Sequence, residues 1–201
     1  MIEKVAVYLG SSAGNSPKFA ANAALLGRRL AEEGIGIVYG GASVGTMWTM
    51  ASAAIEAGGR VTGVFPRNFK GKKESRERKV EVRAEGLAEM FETADLASRV
   101  DKMTELSQAC VVLPGSYGTM HELFCWLLGH QLQQHAKPLF ILNTDGYYEP
   151  LRALFANMSA NGFMSASDAS IAVFCDTVDE IVTALLNLRT TSQACEPIRP
   201  H

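Results

Sequence analysis

The stretch Ala109-Cys110-Val111-Val112-Leu113-Pro114-Gly115-Ser116-Tyr117-Gly118-Thr119-Met120-His121-Glu122 decides how the chain reads. It opens with an unbroken apolar run, which suits a strand covered on both faces. Pro114 and Gly115 end the run, and an amphipathic pattern over residues 123–132 follows, so the order is strand, glycine-rich turn, helix. Such a turn leaves backbone N–H groups unpaired at the helix entrance, where the helix dipole adds roughly half a positive charge. An entrance of that kind accepts a phosphate. Glu122 is the misfit, because a carboxylate one helical turn inside repels a phosphate unless it has another task.

Working outward, the same unit recurs along the chain. Apolar runs at residues 5–9, 35–39, 61–65, 109–113, 138–142 and 171–175, with a short one at 89–93, predict strands. Helical patterns at 17–33, 43–57, 96–108, 147–158 and 176–188 alternate with them, the last capped by Asp176 or Thr177. Strands that are apolar throughout and alternate with helices predict an α/β fold, a Rossmann-like doubly wound parallel sheet with helices on both faces. Residues 1–189 are expected to form one domain and 190–201 a loose tail, while the polar, basic residues 66–78 read as a surface loop. Ligands in such folds bind at the carboxyl ends of the strands, where three glycine-rich turns should gather: 10–14, 40–45 and 115–118.

Composition excludes several classes of partner. With 201 residues, 47% hydrophobic and 20% charged, and a net charge of -2, the chain has no global field to attract nucleic acid or an anionic membrane. A basic cluster at 70–79 is most simply a solvated loop. Neither a signal-peptide pattern nor a membrane-spanning apolar run is present, so a cytoplasmic location is expected. Cys110, Cys125, Cys175 and Cys195 lack the close pairing of a zinc or redox motif, and His121, His130 and His135 lack the spacing of helix metal ligands. No metal and no cofactor is expected.

The glycine turns narrow the chemistry further. A dinucleotide fingerprint needs Gly-x-Gly-x-x-Gly after the first strand and an acid about 20 residues on. Here the first turn is Gly10-Ser11-Ser12-Ala13-Gly14 and the second strand ends at Gly40-Gly41 without a carboxylate, which argues against NAD. No Walker lysine follows any glycine turn, which argues against an ATPase. At Thr119-x-x-Glu122 two readings stand. It is either a capping box that only starts a helix, or a binding turn followed by a reactive carboxylate; Gly115 and Gly118 favour the second.

The run from Pro114 to Glu122 resembles the Pro-Gly-Gly-x-Gly-Thr-x-x-Glu signature of the LOG ("Lonely Guy") family, cytokinin riboside 5'-monophosphate phosphoribohydrolases often mislabelled lysine decarboxylases. Matches at Gly10-Ser11-Ser12, Val38-Tyr39-Gly40-Gly41, Gly45-x-Met47, Gln131-Leu132, His135-x-Lys137-Pro138 and Leu142-Asn143-x-Asp145-Gly146-Tyr147-Tyr148 extend the resemblance. It implies hydrolysis of the N-glycosidic bond of a cytokinin-type or purine nucleoside 5'-monophosphate, with Glu122 and Arg99 catalytic. It further implies a phosphate on Gly115, Ser116, Tyr117, Gly118 and Thr119, a pocket completed by Gly10, Ser11, Ser12, Gly40, Gly41 and Met47, and a homodimer. Arg99 has three open roles: fixing the phosphate, fixing the carboxylate, or balancing charge on the leaving base.

The sequence departs from the family at four places. Val100 stands where a lysine is usual, with Lys102 further along the helix; Ser116 replaces a glycine; Trp48 replaces a small residue; Leu128-Gly129 replaces a Thr-Trp pair. If position 116 requires a positive φ, serine there costs roughly 1 kcal/mol or more. These departures keep a second class of function in play, a nucleotide or phosphorylated-cofactor carrier that has lost the chemistry. A pyridoxal-phosphate decarboxylase has little support, because no lysine occupies a recognisable cofactor setting.

Overall fold

The computed structural model describes residues 2–67 and 83–193. Seven strands form one sheet: β1 (Lys4–Tyr8), β2 (Gly36–Tyr39), β3 (Val61–Pro66), β4 (Glu89–Thr93), β5 (Ala109–Val112), β6 (Leu139–Leu142) and β7 (Ala172–Cys175). Every pairing is parallel, and the order across the sheet is β4-β3-β2-β1-β5-β6-β7. The expected parallel α/β sheet is therefore present, with a strand at each of the seven expected places.

The helices are α1 (Pro17–Glu32), α2 (Gly45–Glu56), α3 (Leu96–Leu106), α4 (Tyr117–Gln131), α5 (Glu149–Ala160), α6 (Ala166–Ala169) and α7 (Val178–Gln193). Strand side chains alternate between two cores. Val5, Val7, Ile37 and Val111 pack against Leu26 and Leu30 of α1, Met50 of α2 and Ile181 of α7. Ala6, Tyr8, Val38 and Cys110 pack against Met103 of α3, Leu123 and Trp126 of α4, and Phe155 of α5. A right-handed crossover puts its helix on one face when the chain moves one way across the sheet and on the other face when it moves back. The chain steps outward from β1 to β3 and then in the opposite sense from β5 to β7, so α1 and α2 cover one face and α4 and α5 the other.

Several boundaries differ from the sequence expectation. The fifth helix begins at Glu149 and not at residue 147, because Asn143 Oδ1 accepts the Tyr148 N–H at 2.8 Å and a 3₁₀ turn, Thr144–Gly146, intervenes. The short α6 was not expected; a reciprocal Ser165–Asp168 capping box starts it. Thr177 is the cap of α7, since its Oγ1 accepts the Glu180 N–H at 3.2 Å. That helix runs to Gln193, so residues 190–193 are helical and not tail; residues 194–201 lie outside the described residues, as do the basic cluster at 70–79 and most of the expected loop at 66–78. No helix among the described residues is long and apolar enough to cross a membrane.

Helices α1 and α2 cross at backbone contact. A Cβ on Gly27 would lie 2.2 Å from the Met50 carbonyl oxygen, with no flexible side chain to yield. Gly27→Ala gains roughly 1 kcal/mol of helix propensity but forces the two helices apart. We expect a net loss of about 2 kcal/mol in urea unfolding, and an equal or higher midpoint would contradict this packing.

Candidate active site

At the end of β5, Leu113 still pairs with β1 through its N–H to Tyr8 O at 2.9 Å, and Pro114 then stops the ladder. Ser116 precedes helix α4 with φ -111° and ψ -150°, so its backbone is extended and serine carries no conformational penalty there. The concern about a positive φ at this position is removed. Gly115 is required for a different reason: a Cβ there would lie 2.0 Å from Thr119 Oγ1, so only a glycine lets the threonine fold back beneath the turn. Helix α4 begins at Tyr117, which places Thr119 and Glu122 inside it. Ser116, not Thr119, is the residue at the helix boundary, and the capping-box reading of Thr119 and Glu122 fails.

Glu122 turns toward α3 instead. Its Oε1 accepts a hydrogen bond from Arg99 Nη2 at 2.5 Å, in a pair whose side chains are 8% (Arg99) and 7% (Glu122) exposed. Burial costs each ion several kcal/mol of hydration, so such a pair persists only when each partner offsets the other's charge. The guanidinium lies over Gly40, where a Cβ would sit 3.2 Å from Arg99 Nη1 and 2.8 Å from Met47 Cε. Arg99 Nε is buried and has no hydrogen-bond partner among the described residues. On the sheet side of the carboxylate, burial and then the Cys110 and Glu122 charges push the Tyr8 phenol up; burial and then Glu122 push up the Cys110 thiol. Both therefore stay neutral beside Glu122 at physiological pH.

The three glycine turns meet at the carboxyl ends of β1, β2 and β5. Gly10 N–H donates to Pro114 O at 3.2 Å, and Gly10 O accepts from Thr46 Oγ1 at 2.8 Å and Met47 N–H at 3.3 Å. Gly45 has φ +55° and packs its α-carbon directly on the Ser11–Ser12 peptide, where any Cβ would clash at 2.3 Å. A cleft of about 190 Å³ opens among Gly10, Ser11, Ser12, Thr46, Gly115 and Ser116, with Phe19 and Tyr147 as an aromatic wall.

Of the residues anticipated from sequence, Arg99, Glu122, Gly40 and Met47 form one cluster, and Gly10, Ser11, Ser12, Gly115 and Ser116 line the adjoining cleft. Tyr117 is 92% exposed and does not line the cleft. Gly118 has open space where a Cβ would stand. Gly41 is not brought to the cluster; its φ of +73° and its packing against Met90 and the Val64 amide belong to β3 and β4. His121 lies 3.6 Å from Cys125, while His135 packs on Trp126. Thr46, Phe19 and Tyr147 were not anticipated as site residues. Tyr147 stood in a stretch matched to the family, whereas Phe19 carries no signal that separates it from a core position.

Residues 47–185 match the family model described as possible lysine decarboxylase. The probable cytokinin riboside 5'-monophosphate phosphoribohydrolase LOGL1 of Oryza sativa subsp. japonica is 36% identical over 194 residues, which cover 96% of this chain and 83% of that protein. The cytokinin riboside 5'-monophosphate phosphoribohydrolase of Rhodococcoides fascians is 33% identical over 183 residues, covering 91% of this chain and 89% of that protein. The chain belongs to the LOG family. Among solved structures, the molybdenum cofactor carrier protein of Chlamydomonas reinhardtii aligns with a TM-score of 0.68 at 20% identity, over 94% of this chain and 99% of that one, a likeness of fold.

The departures from the LOG pattern now have places. Val100 is buried with 3% exposure, so the position next to Arg99 has become part of the core. Lys102 does not stand in for the absent lysine: its Nζ pairs with Glu105 at 2.9 Å and sits 5.0 Å from the Phe91 ring centroid. Trp48 packs half-buried against the α1/α2 core. Gly129 is seated against His135, and Leu128 is 52% exposed.

If Arg99 and Glu122 compensate each other, removing one charge costs far more than removing both. Arg99→Met is expected to lose about 3–5 kcal/mol in urea unfolding, and adding Glu122→Gln should recover much of that loss. Additive losses in the double variant would mean the two charges are not coupled.

Proposed function

We propose that this LOG-family protein hydrolyses the N-glycosidic bond of a nucleoside 5'-monophosphate of the purine or cytokinin type, releasing the free base and ribose 5-phosphate. The observation that carries this reading is the buried Arg99–Glu122 pair, set one turn inside a helix whose entrance is a glycine turn. The 5'-phosphate docks on the amides of residues 115–119 and on the positive end of α4, which fixes the sugar in one register. Glu122 then faces C1' of the ribose. As the bond from C1' to the base nitrogen breaks, positive charge develops on the ring, and the carboxylate stabilises it. Water attacks C1' and gives a proton to Glu122, and that proton passes to the nitrogen of the departing base, which returns the carboxylate to its starting state. Arg99 holds Glu122 in place through its hydrogen bond to the carboxylate.

The names of the curated relatives support this chemistry, and nothing in the site requires a cofactor for it. A small-molecule nucleotide is the partner, and a cytoplasmic location, where such nucleotides are made, fits the reading. A carrier function finds its support in Val100, which removes the family's lysine from beside Arg99. A nucleotide that copurifies uncleaved with a protein showing no turnover would favour the carrier.

The same reading includes a homodimer. Phe124 and Leu128 on α4 and Leu132 just past its end expose an apolar stripe, and a groove of about 280 Å³ beside it is lined by Phe124, Leu128, Phe155, Met158 and Phe163. Phe163 is 83% exposed, and a second copy of this chain is the occupant this surface fits.

Incubation with AMP and with isopentenyladenosine monophosphate is expected to release base, and no release across a panel of nucleotides would sink the hydrolase reading. Glu122→Gln should lower kcat by 10³-fold or more, about 4 kcal/mol, while phosphate-dependent binding is largely kept. Leu128→Glu with Phe163→Glu should convert a dimer to a monomer in sedimentation velocity; a wild-type monomer at micromolar concentration would refute the dimer.

A further inference from the structure

Three successive carbonyls in the turn after β5 are each tied down. Leu113 O accepts from Tyr148 Oη at 2.8 Å, Pro114 O from the Gly10 N–H at 3.2 Å, and Gly115 O from Tyr147 Oη at 2.6 Å. All described peptide bonds are trans, so in each peptide the C=O and the following N–H point in opposite directions. Holding Pro114 O on Gly10 therefore turns the Gly115 N–H away from β1. Holding Gly115 O on Tyr147 turns the Ser116 N–H away from the tyrosine ring. A free glycine peptide flips easily, because Gly lacks the Cβ that restricts its dihedrals. Flipped, it would present a carbonyl oxygen where the anion site needs a donor.

The tyrosine itself is firmly aimed. Its ring meets Phe19 edge-on at 5.8 Å and Tyr148 at 5.0 Å between centroids. It leaves a tight turn in which Asp145 and Gly146 have φ of 52° and 72°. That turn is fastened to α1 by Lys18 Nζ to Asp145 at 2.6 Å and by Asn22 Nδ2 to Thr144 Oγ1 at 2.9 Å. Tyr148 ties the preceding carbonyl, but the nitrogen of that peptide belongs to Pro114 and carries no hydrogen. Two adjacent tyrosines thus make similar hydrogen bonds with different consequences.

We propose that Tyr147 is a positioning residue of the phosphate site: its hydroxyl locks the Gly115–Ser116 peptide with the N–H presented to the substrate phosphate, whereas the Tyr148 hydroxyl serves the fold alone. The proposal rests on the phosphate site described under the proposed function. Tyr147→Phe keeps the ring and removes only the hydroxyl. It should raise the Kd for inorganic phosphate about fivefold in calorimetric titration, with KM for the 5'-monophosphate rising by the same factor and exceeding any change in kcat. Tyr148→Phe, whose hydroxyl is buried, should lower Tm while leaving the phosphate Kd at its wild-type value.

An unchanged phosphate Kd in Tyr147→Phe overturns the proposal, and so does an equal rise in both variants. Absence of phosphate binding by the wild-type protein overturns it as well. A wild-type protein that binds phosphate and cleaves no nucleotide removes the hydrolase reading alone, since the titration reads the loop without any turnover.

Discussion

The handedness of the crossovers governs the rest of the molecule. Parallel strands joined by right-handed connections can change the face their helices cover only by changing direction across the sheet. This chain changes direction once it has laid down β4, and the reversal leaves β1 and β5 as neighbours whose following loops turn to opposite faces. A crevice at their carboxyl ends is the geometric result. The first glycine turn and the motif turn form its two lips, joined by the Gly10 N–H to Pro114 O bond. The second turn closes it from the side, by Gly45 packing on the Ser11–Ser12 peptide.

Within that crevice, the helix entrance and the buried ion pair are separate groups of different character. The entrance of α4 offers amides and a dipole, which suit an anion. Behind it the Arg99–Glu122 pair bridges α3 and α4 in a buried setting. A carboxylate held only by capping bonds would be spent on the helix itself; this one is instead tied to a guanidinium on a different helix. Gly40 is what lets the guanidinium lie flat against the end of β2. The pair is thus specified by a long-range packing condition as much as by its two charges.

Much of this was legible in the sequence. The strands announce themselves because a doubly covered parallel strand is apolar at every position, as in Val5-Ala6-Val7 and Leu139-Phe140-Ile141-Leu142. Arg99 and Glu122 were named together through the family resemblance, and the structure places them in contact. Other features depend on tertiary geometry that no local pattern encodes. Thr119 and Glu122 have the spacing of a capping box, yet the helix starts at Tyr117, so the pattern pointed to the wrong register. Ser116 raised a concern that only its observed φ could remove. Gly41 reads like its neighbour Gly40 but faces Met90 on the other side of β2. Helix α6, four residues long, is too short to show a period.

Residue pairing across the crevice also dictates when in synthesis the site comes into being. Val5 pairs with Ala109, so the two lips are separated by about half the chain, and closing so long a loop costs entropy before any contact repays it. A nascent chain that has emerged only through β4 has β1, β2 and β3 in hand but no partner for the open side of β1. The crevice therefore needs β5 beside β1, and its rim is complete only with the later turn that carries Tyr147.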